Sequence, residues 1–547
     1  MGSVEELKKY YKDKTVPGLV KELKTNAVFQ MSLSGKELFH SNMIGMFLTQ
    51  EEDVTYTHKI PNDIAKGLIN LFPPKINDEK QSDYVVFDVL REYKHLDLLI
   101  LYCKQDEKDI LYEAGYTCVD DIQDMDKKKN EDNTDDTTKI VLPEDICNIL
   151  KNMKYVIVEN KFKSFPYKEQ LDRYSEADIN VFKSCKDENG KKIEVKNRTC
   201  YLLAPEGSLN SFYNTDKEFI HTFKNEITWE GVSYEKVRDA LWENNNKDSK
   251  LMGLFIEEYC KFLTIMLCLY TKCIEERLEH NKIFLSKEDN DELLKCRIQD
   301  FYEKIIFNRV LSKLRQDNKV FFISESPVKK IRKLNGKLDI DNNNWPFFNT
   351  GAGYSNQKGY LDFRYYWDNS SVTSGIEIQG SVFEIVFCAT KDEFKKIVFG
   401  ISKTNEAYET FLEKNGFEGS FRNFRGEGEN VSKEDEIKDT VECIKLIYEK
   451  IKEKLNNDYP QFVKLPKELQ VPKIKNSIVH SYETEKYTFR YLCIDLNEVI
   501  SKKNNEKYDS HAYREFKYND LEILLKVALE VLHDNPYEKL KKQLEKK

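Results

Sequence analysis

The chain has 547 residues, of which 40% are hydrophobic and 12% aromatic, enough apolar surface for a sizeable core, which excludes a globally disordered protein. Its 86 Lys and Arg residues against 95 Asp and Glu residues give a formal net charge of −9, so any contact with nucleic acid has to come from a local basic patch. The longest largely apolar stretch, residues 262–270, is far shorter than the ~20 residues of a membrane helix. Because the N-terminus also lacks a secretory signal pattern, we expect a cytoplasmic protein without membrane contact.

The first half of the chain alternates helical and strand-like patterns. Helices are predicted at residues 5–25, 36–49, 167–176 and 251–279, and strands at residues 83–91, 94–103, 155–158 and 199–203. Residues 120–139 are almost free of apolar side chains and predict a polar surface insertion. This alternation favours an α/β domain over residues 1–290.

The pattern of predicted helices and strands changes in the second half of the chain. Helices are predicted at residues 297–315, 433–456 and 519–545, and strands at residues 359–367, 375–389 and 486–496. We therefore expect an α+β domain over residues 291–547, for which no catalytic pattern is evident.

The segment Tyr155-Val156-Ile157-Val158-Glu159-Asn160-Lys161 carries the clearest chemical signal. Side chains alternate between the two faces of a strand, so Glu159 and Lys161 emerge side by side at the end of a buried strand. Such a pair can hold a divalent metal ion and place an ammonium group near a phosphate. An edge salt bridge is the alternative interpretation.

Other polar residues stand out against apolar surroundings. Asp97 heads the apolar run of residues 98–102, and burying a carboxylate is costly unless it is paired or binds metal. Gln170 and Tyr174 are four residues apart and so share a helix face. Glu37 lies on the apolar helix near His40, where it is alternatively the third residue of a capping box whose N-cap is Ser34.

Taken together, Asp97, Glu159-Asn160-Lys161 and the Gln-Leu-x-x-Tyr segment at residues 170–174 resemble the PD-(D/E)XK nuclease superfamily. With Glu-Leu-Phe-His-Ser at residues 37–41, the chain is similar to one bacterial branch of it, some of whose members are linked to phage defence. The resemblance covers about residues 30–210. It implies a restriction-endonuclease-like mixed sheet flanked by helices. The proline that usually precedes the aspartate is replaced by Leu96, and Asp88, or less favourably Asp83, is the alternative to Asp97.

The resemblance also implies the roles of the residues. Mg²⁺, with Mn²⁺ as a substitute, would be held by Asp97, Glu159 and the backbone carbonyl of Asn160, a ligand set that Mg²⁺ accepts. Lys161 would orient or deprotonate the attacking water or stabilise the phosphate in the transition state. Glu37 would hold a second metal ion or a water. Gln170 and Tyr174 would position the lysine or the scissile phosphate, whereas His40 fits packing better than catalysis.

Cations and aromatic rings interleave directly after this strand. Lys163, Phe165, Tyr167 and Lys168 form a pattern typical of a surface that follows phosphates and stacks bases. We therefore expect these residues to contact DNA.

The sequence thus predicts a Mg²⁺-dependent DNA endonuclease. A role in bacterial defence against phage or foreign DNA is implied by the resemblance alone. Two alternatives stay open. One is a latent effector that a regulatory ligand or partner protein switches on through residues 291–547, and the other is a nucleic-acid-binding module without catalysis. A homo-oligomer is also compatible with the sequence.

Overall fold

The computed structural model describes most of the first half of the chain and parts of the second. The described residues are 3–31, 37–48, 62–75, 83–119, 142–162, 168–176, 198–209, 229–245, 250–316, 321–322, 346–347, 349–355, 358–366, 373–390, 475–480, 485–504 and 506–533, with residues 179, 181–182, 185 and 193. The predicted insertion at 120–139 and the predicted helix at 433–456 lie outside them.

The described helices account for most of the predicted ones. They are α1 (Val4–Lys12), α2 (Val16–Thr25), α3 (Ala27–Met31), α4 (Glu37–Leu48), α5 (Asn62–Ile69), α6 (Gln105–Glu113), α7 (Glu144–Asn152), α8 (Lys168–Glu176), α9 (Tyr234–Glu243), α10 (Lys250–Tyr270), α11 (Glu276–Glu279), α12 (Lys287–Lys295), α13 (Gln299–Gln316), α14 (Leu496–Lys503) and α15 (Tyr518–His533). A π turn, Thr271–Glu275, separates α10 from α11, and a 3₁₀ turn spans Ala512–Glu515.

The single helix expected at 5–25 is two helices. The Thr15 side chain accepts a hydrogen bond from the Gly18 N–H and caps α2. Pro17 lies in the first turn of α2, where its missing N–H does no harm, but it could not continue a preceding helix. The cap and the proline together account for the break.

The described strands form one sheet in the first half and two in the second. They are β1 (Tyr84–Tyr93), β2 (Leu96–Lys104), β3 (Lys154–Asn160), β4 (Arg198–Ala204), β5 (Trp229–Ser233), β6 (Phe321–Phe322), β7 (Pro346–Phe347), β8 (Asn349–Ser355), β9 (Lys358–Tyr366), β10 (Thr373–Gln379), β11 (Val382–Thr390), β12 (Lys475–His480) and β13 (Glu485–Asp495). The run expected as one strand at 375–389 is a hairpin, because Gly380 takes a left-handed φ of 57° at its turn.

The first sheet has the order β1-β2-β3-β4-β5. The strands β1, β2 and β3 pair antiparallel, whereas β3, β4 and β5 pair parallel. Every residue of the central β3 after Lys154 is buried. The expected α/β domain with a mixed sheet flanked by helices is therefore confirmed.

One face of this sheet carries a large apolar core, to which β2 contributes Leu99 and Leu101 and β3 contributes Tyr155 and Ile157. The helix α8 adds Leu171 and Tyr174 to the same core. In β2 and β3, Leu99 lies opposite Ile157 and Leu101 opposite Tyr155. This packing fixes the register of β3 against β2 because a slip by one residue would turn the apolar side chains to the other face.

The chain divides into two compact units. The first comprises Met1–Cys273 and Glu292–Phe301, and the second Ile274–Asp291 and Tyr302–Lys547. The second contains a six-stranded antiparallel sheet in the order β12-β13-β11-β10-β9-β8. The expected boundary between residues 290 and 291 stays a prediction. In the described part of the chain, no helix combines the length and apolar character needed to cross a membrane.

Candidate active site

The pairing of β2 with β3 brings Asp97 next to Glu159. The last paired residues are Leu98 and Val158, and in an antiparallel ladder the next position places Asp97 opposite Glu159. The Asn160 backbone N–H donates to Asp97 Oδ2 over 2.7 Å. The sequence between the two strands is long. The register of β2 against β3 nevertheless places the two carboxylates next to each other at the end of β3.

Glu159 and Lys161 lie in direct contact at high burial. Lys161 Nζ is 2.7 Å from Glu159 Oε1, and the side chains are 8% and 2% exposed. Gln170 Nε2 on α8 donates to the same oxygen over 2.8 Å and to the Tyr174 hydroxyl over 3.1 Å. Among the described residues, the buried Glu159 Oε2 has no hydrogen-bond partner.

Glu37 approaches the lysine from the first turn of α4. Its Oε2 is 4.0 Å from Lys161 Nζ. Asn160 holds this helix against β3, because Asn160 Nδ2 donates to the Glu37 carbonyl over 2.7 Å and to Ser41 Oγ over 3.1 Å. The ammonium group of Lys161 therefore faces two carboxylates from different elements.

Burial and crowding disturb the ionisation of these groups. Burial raises the pKa of Asp97 to about 6, against the lowering effects of the Asn160 N–H and the Lys161 ammonium. Burial likewise raises the pKa of Glu159, and the Asp97 and Glu37 charges raise it further, while Lys161 opposes the rise. Burial disfavours the charged form of Lys161, yet the pKa of Lys161 is raised because Glu159 and Glu37 outweigh burial. Without a metal ion, the carboxyl groups of Asp97 and Glu159 therefore hold their protons more tightly than free carboxyl groups do.

The donor set suits a divalent cation that keeps several waters. Glu159 Oε2 is a buried acceptor without a partner, and such an atom is costly unless a cation or a donor reaches it. In the described part of the chain, no group of three or more His, Cys, Asp or Glu side chains is arranged to hold a metal ion. A metal here would therefore rest on Asp97, Glu159, a backbone carbonyl and waters, which is the sparse coordination that Mg²⁺ accepts.

The alternatives to Asp97 lie elsewhere in the sheet. Asp88 sits at a bulge in β1, where its two carboxylate oxygens accept the backbone N–H groups of Val89 and Val119. Asp83 is exposed just before β1, whose first residue pairs with Lys104 at the opposite end of β2 from Asp97. Neither is brought to Glu159.

His40 is fully buried among aromatic rings. Its ring centroid is 4.1 Å from that of Phe162 and 5.4 Å from that of Tyr234. Its Nδ1 lies 2.9 Å from the Tyr259 hydroxyl. These contacts favour the packing role over that of a base.

The expected nucleic-acid contacts fall largely outside the described residues. Lys163, Phe165 and Tyr167 are not described, and Lys168 is described only as the first residue of α8. Contact of these four residues with DNA stays a prediction.

Sequence reasoning missed Tyr234, and it quoted Ser41 within the segment 37–41 without giving it a role. Tyr234 on α9 donates to Asn160 Oδ1 over 2.5 Å, across 74 residues of sequence, so no local pattern could indicate it. Ser41 lies four residues after Glu37 and on the same helix face, a spacing that could have indicated it.

Two carboxylates and a lysine are thus gathered at the end of a strand in a mixed α/β sheet, and one carboxylate oxygen, Glu159 Oε2, is buried without a hydrogen-bond partner among the described residues. Residues 26–261, somewhat less than half of the chain, match the family model of the PD-(D/E)XK nuclease superfamily, and this part of the chain is similar to that superfamily. The superfamily typically uses divalent metal ions and acts on nucleic acids, so a nuclease function in general follows. The searches of curated proteins and of solved structures found no match to this chain.

Proposed function

We propose that this protein is a Mg²⁺-dependent nuclease that hydrolyses phosphodiester bonds of DNA, acting as an endonuclease in bacterial defence against phage or other foreign DNA. The observation that carries the proposal is the buried Glu159 carboxylate, which has one oxygen held by Lys161 and Gln170 and the other left without a partner beside Asp97. The preference for DNA and the defence role rest on the resemblance to the bacterial branch alone.

In the proposed reaction, the residues of the site have different roles. A bound Mg²⁺ would make water more acidic and stabilise negative charge on the departing oxygen. Asp97 and Glu159 would hold it, Asn160 contributing its carbonyl. The Lys161 ammonium lies at the same edge, where it can stabilise the charge of the phosphate in the transition state or orient the attacking water. Gln170 keeps Glu159 Oε1 engaged, which would leave Oε2 available to the cation.

The test combines cleavage with metal binding. We expect plasmid and linear DNA, rather than RNA, to be cleaved with Mg²⁺ or Mn²⁺ and not with EDTA. Lys161→Met and Glu159→Gln should each lower cleavage by about 100-fold or more. Mg²⁺ should still raise the melting temperature of Lys161→Met, since its ligands remain, but not that of Glu159→Gln. Lys154→Ala, at the other end of β3, is the matched control.

The outcomes separate the proposal from its alternatives. Equal cleavage by wild type and both site variants would refute the site. A wild type that is stabilised by Mg²⁺ but cleaves no substrate would favour the latent effector. A wild type that shows neither response would favour a binding module without catalysis.

A further inference from the structure

Asn160 lies at the centre of the candidate active site, and its side chain is fully buried. The backbone N–H of Asn160 donates to Asp97, and its Nδ2 donates to the Glu37 carbonyl and to Ser41. Its Oδ1 accepts from the Tyr234 hydroxyl. One residue thus contacts β2, α4 and α9, three elements that are far apart in sequence.

The chemistry of the partners fixes the orientation of this amide. The Glu37 carbonyl can only accept, so the atom 2.7 Å from it must be Nδ2. The opposite atom is then Oδ1, and it requires a donor, which the Tyr234 hydroxyl supplies over 2.5 Å. Because Tyr234 is itself fully buried, no water competes for this bond.

The consequence concerns the spacing of the carboxylates. Asn160 joins the backbone of α4, which carries Glu37, to the strand that carries Glu159 and Lys161. It also holds one oxygen of Asp97. Because the bond to Asp97 comes from the backbone N–H, a shift of the Asn160 side chain would move α4, and so change the position of Glu37 relative to Lys161 Nζ and the other two carboxylates.

We propose that Asn160 is a positioning residue for the nuclease reaction, whose side chain, oriented by Tyr234, sets α4 against β3 and so places Glu37 relative to Asp97, Glu159 and Lys161. This inference rests on the proposed function, but it concerns the side chain of Asn160 rather than its backbone carbonyl. Residues that hold metal ligands in place typically change metal affinity by about 10–100-fold when they are altered.

The chain offers a matched pair of variants. Tyr234 and Tyr259 are both fully buried, and each hydroxyl bonds a side chain that contacts α4 or lies in it. Tyr259 bonds His40 Nδ1 rather than Asn160. Tyr234→Phe and Tyr259→Phe each remove one buried hydroxyl and keep the ring, so a purely structural role predicts the same behaviour for both.

The experiment titrates Mg²⁺ against the melting temperature of the full chain and measures kcat and KM on DNA. We expect both variants to melt somewhat below wild type. Only Tyr234→Phe should raise the half-saturating Mg²⁺ concentration, by about tenfold, with kcat reduced and KM for DNA little changed. Asn160→Asp, which turns an oxygen to the Glu37 carbonyl, should have a larger effect in the same direction.

Two results would overturn the inference. Equal half-saturation for both tyrosine variants would leave the proposed nuclease intact and refute the positioning role alone. A wild type that Mg²⁺ does not stabilise at any concentration would refute the metal site itself, and the inference with it.

Discussion

Glu159 and Lys161 form an ion pair that is almost fully buried. Taking two charges out of water is costly, and replacing such a pair by apolar side chains is often neutral or stabilising. The pair therefore contributes little to the free energy of unfolding, although it is buried. The Glu159 oxygen without a hydrogen-bond partner lowers this contribution further. Such an arrangement is expected where a cation or a substrate completes the site.

Asp97 should make the stability of the metal-free protein depend on pH. Burial raises its pKa from 3.8 to about 6, so its contribution to the free energy of unfolding is fully present below about pH 4. The contribution falls as the pH rises through about 6, by about 1–3 kcal/mol in total. Urea unfolding in EDTA should show a smaller loss for Asp97→Asn than for wild type, because the raised pKa of Glu159 still contributes in the variant.

Mg²⁺ should oppose this loss of stability at higher pH. Because metal ligands must be ionised, Mg²⁺ should stabilise wild type above about pH 6 and progressively less below it. Parallel stability curves for wild type and Asp97→Asn between about pH 4 and pH 8 would contradict the assignment of this shift to Asp97.

At the level of elements, the hairpin between β1 and β2 positions Asp97. Tyr93 pairs with Leu96, so Lys94 and His95 alone make the turn. Their φ angles are 51° and 70°, as a type I′ turn requires, and Glu92 before them has a φ of 55°. A positive φ strains any residue that has a side chain, and this strain lowers the free energy of unfolding. Glycine adopts the same φ without strain.

Asn-Gly should fit this turn better than Lys-His. We expect the double change Lys94→Asn and His95→Gly to raise the free energy of unfolding by about 1 kcal/mol, because both residues then favour the observed backbone. Chemical denaturation measures it, with Lys94→Asn alone giving part of the gain. A loss of stability in the double variant would show that Lys94 or His95 makes contacts that outweigh the backbone strain.

Elements were largely predictable where their pattern is local. The apolar run of β3 and the helix α4 follow from neighbouring residues, and their observed bounds differ from the prediction by a few residues. The break between α1 and α2 was missed because a short cap and one proline outweigh a continuous charged pattern. The hairpin β10–β11 was missed because a single glycine marks its turn.

At the level of the whole molecule, the first unit includes a segment from beyond the expected domain boundary. Residues 292–301 belong to it, after residues 274–291, which belong to the second unit. Phe301 is buried, and its ring centroid lies 6.3 Å from that of Phe162 and 6.2 Å from that of Tyr270. Phe162 directly follows Lys161, so this segment supports the candidate active site.

Phe301→Ala should therefore loosen the site, whereas Phe307→Ala should not. Phe307 is equally buried but packs on Phe284 within the second unit. Each change should cost about 3–5 kcal/mol in the unit that contains it. Hydrogen exchange should show faster exchange in β3 and α4 for Phe301→Ala alone. Equal exchange in β3 for both variants would contradict this support.

The sequence by itself determined the chemistry available to this protein: a carboxylate and a lysine at the end of a buried strand, and a Gln–Tyr pair on one helix face. These depend on neighbours in the chain, whose periodicity can be read directly. Only the tertiary structure decided that Asp97, rather than Asp88, meets Glu159, and that Tyr234 orients Asn160. Those contacts depend on strand register and helix packing, which are set by the shared apolar core and not by any local pattern.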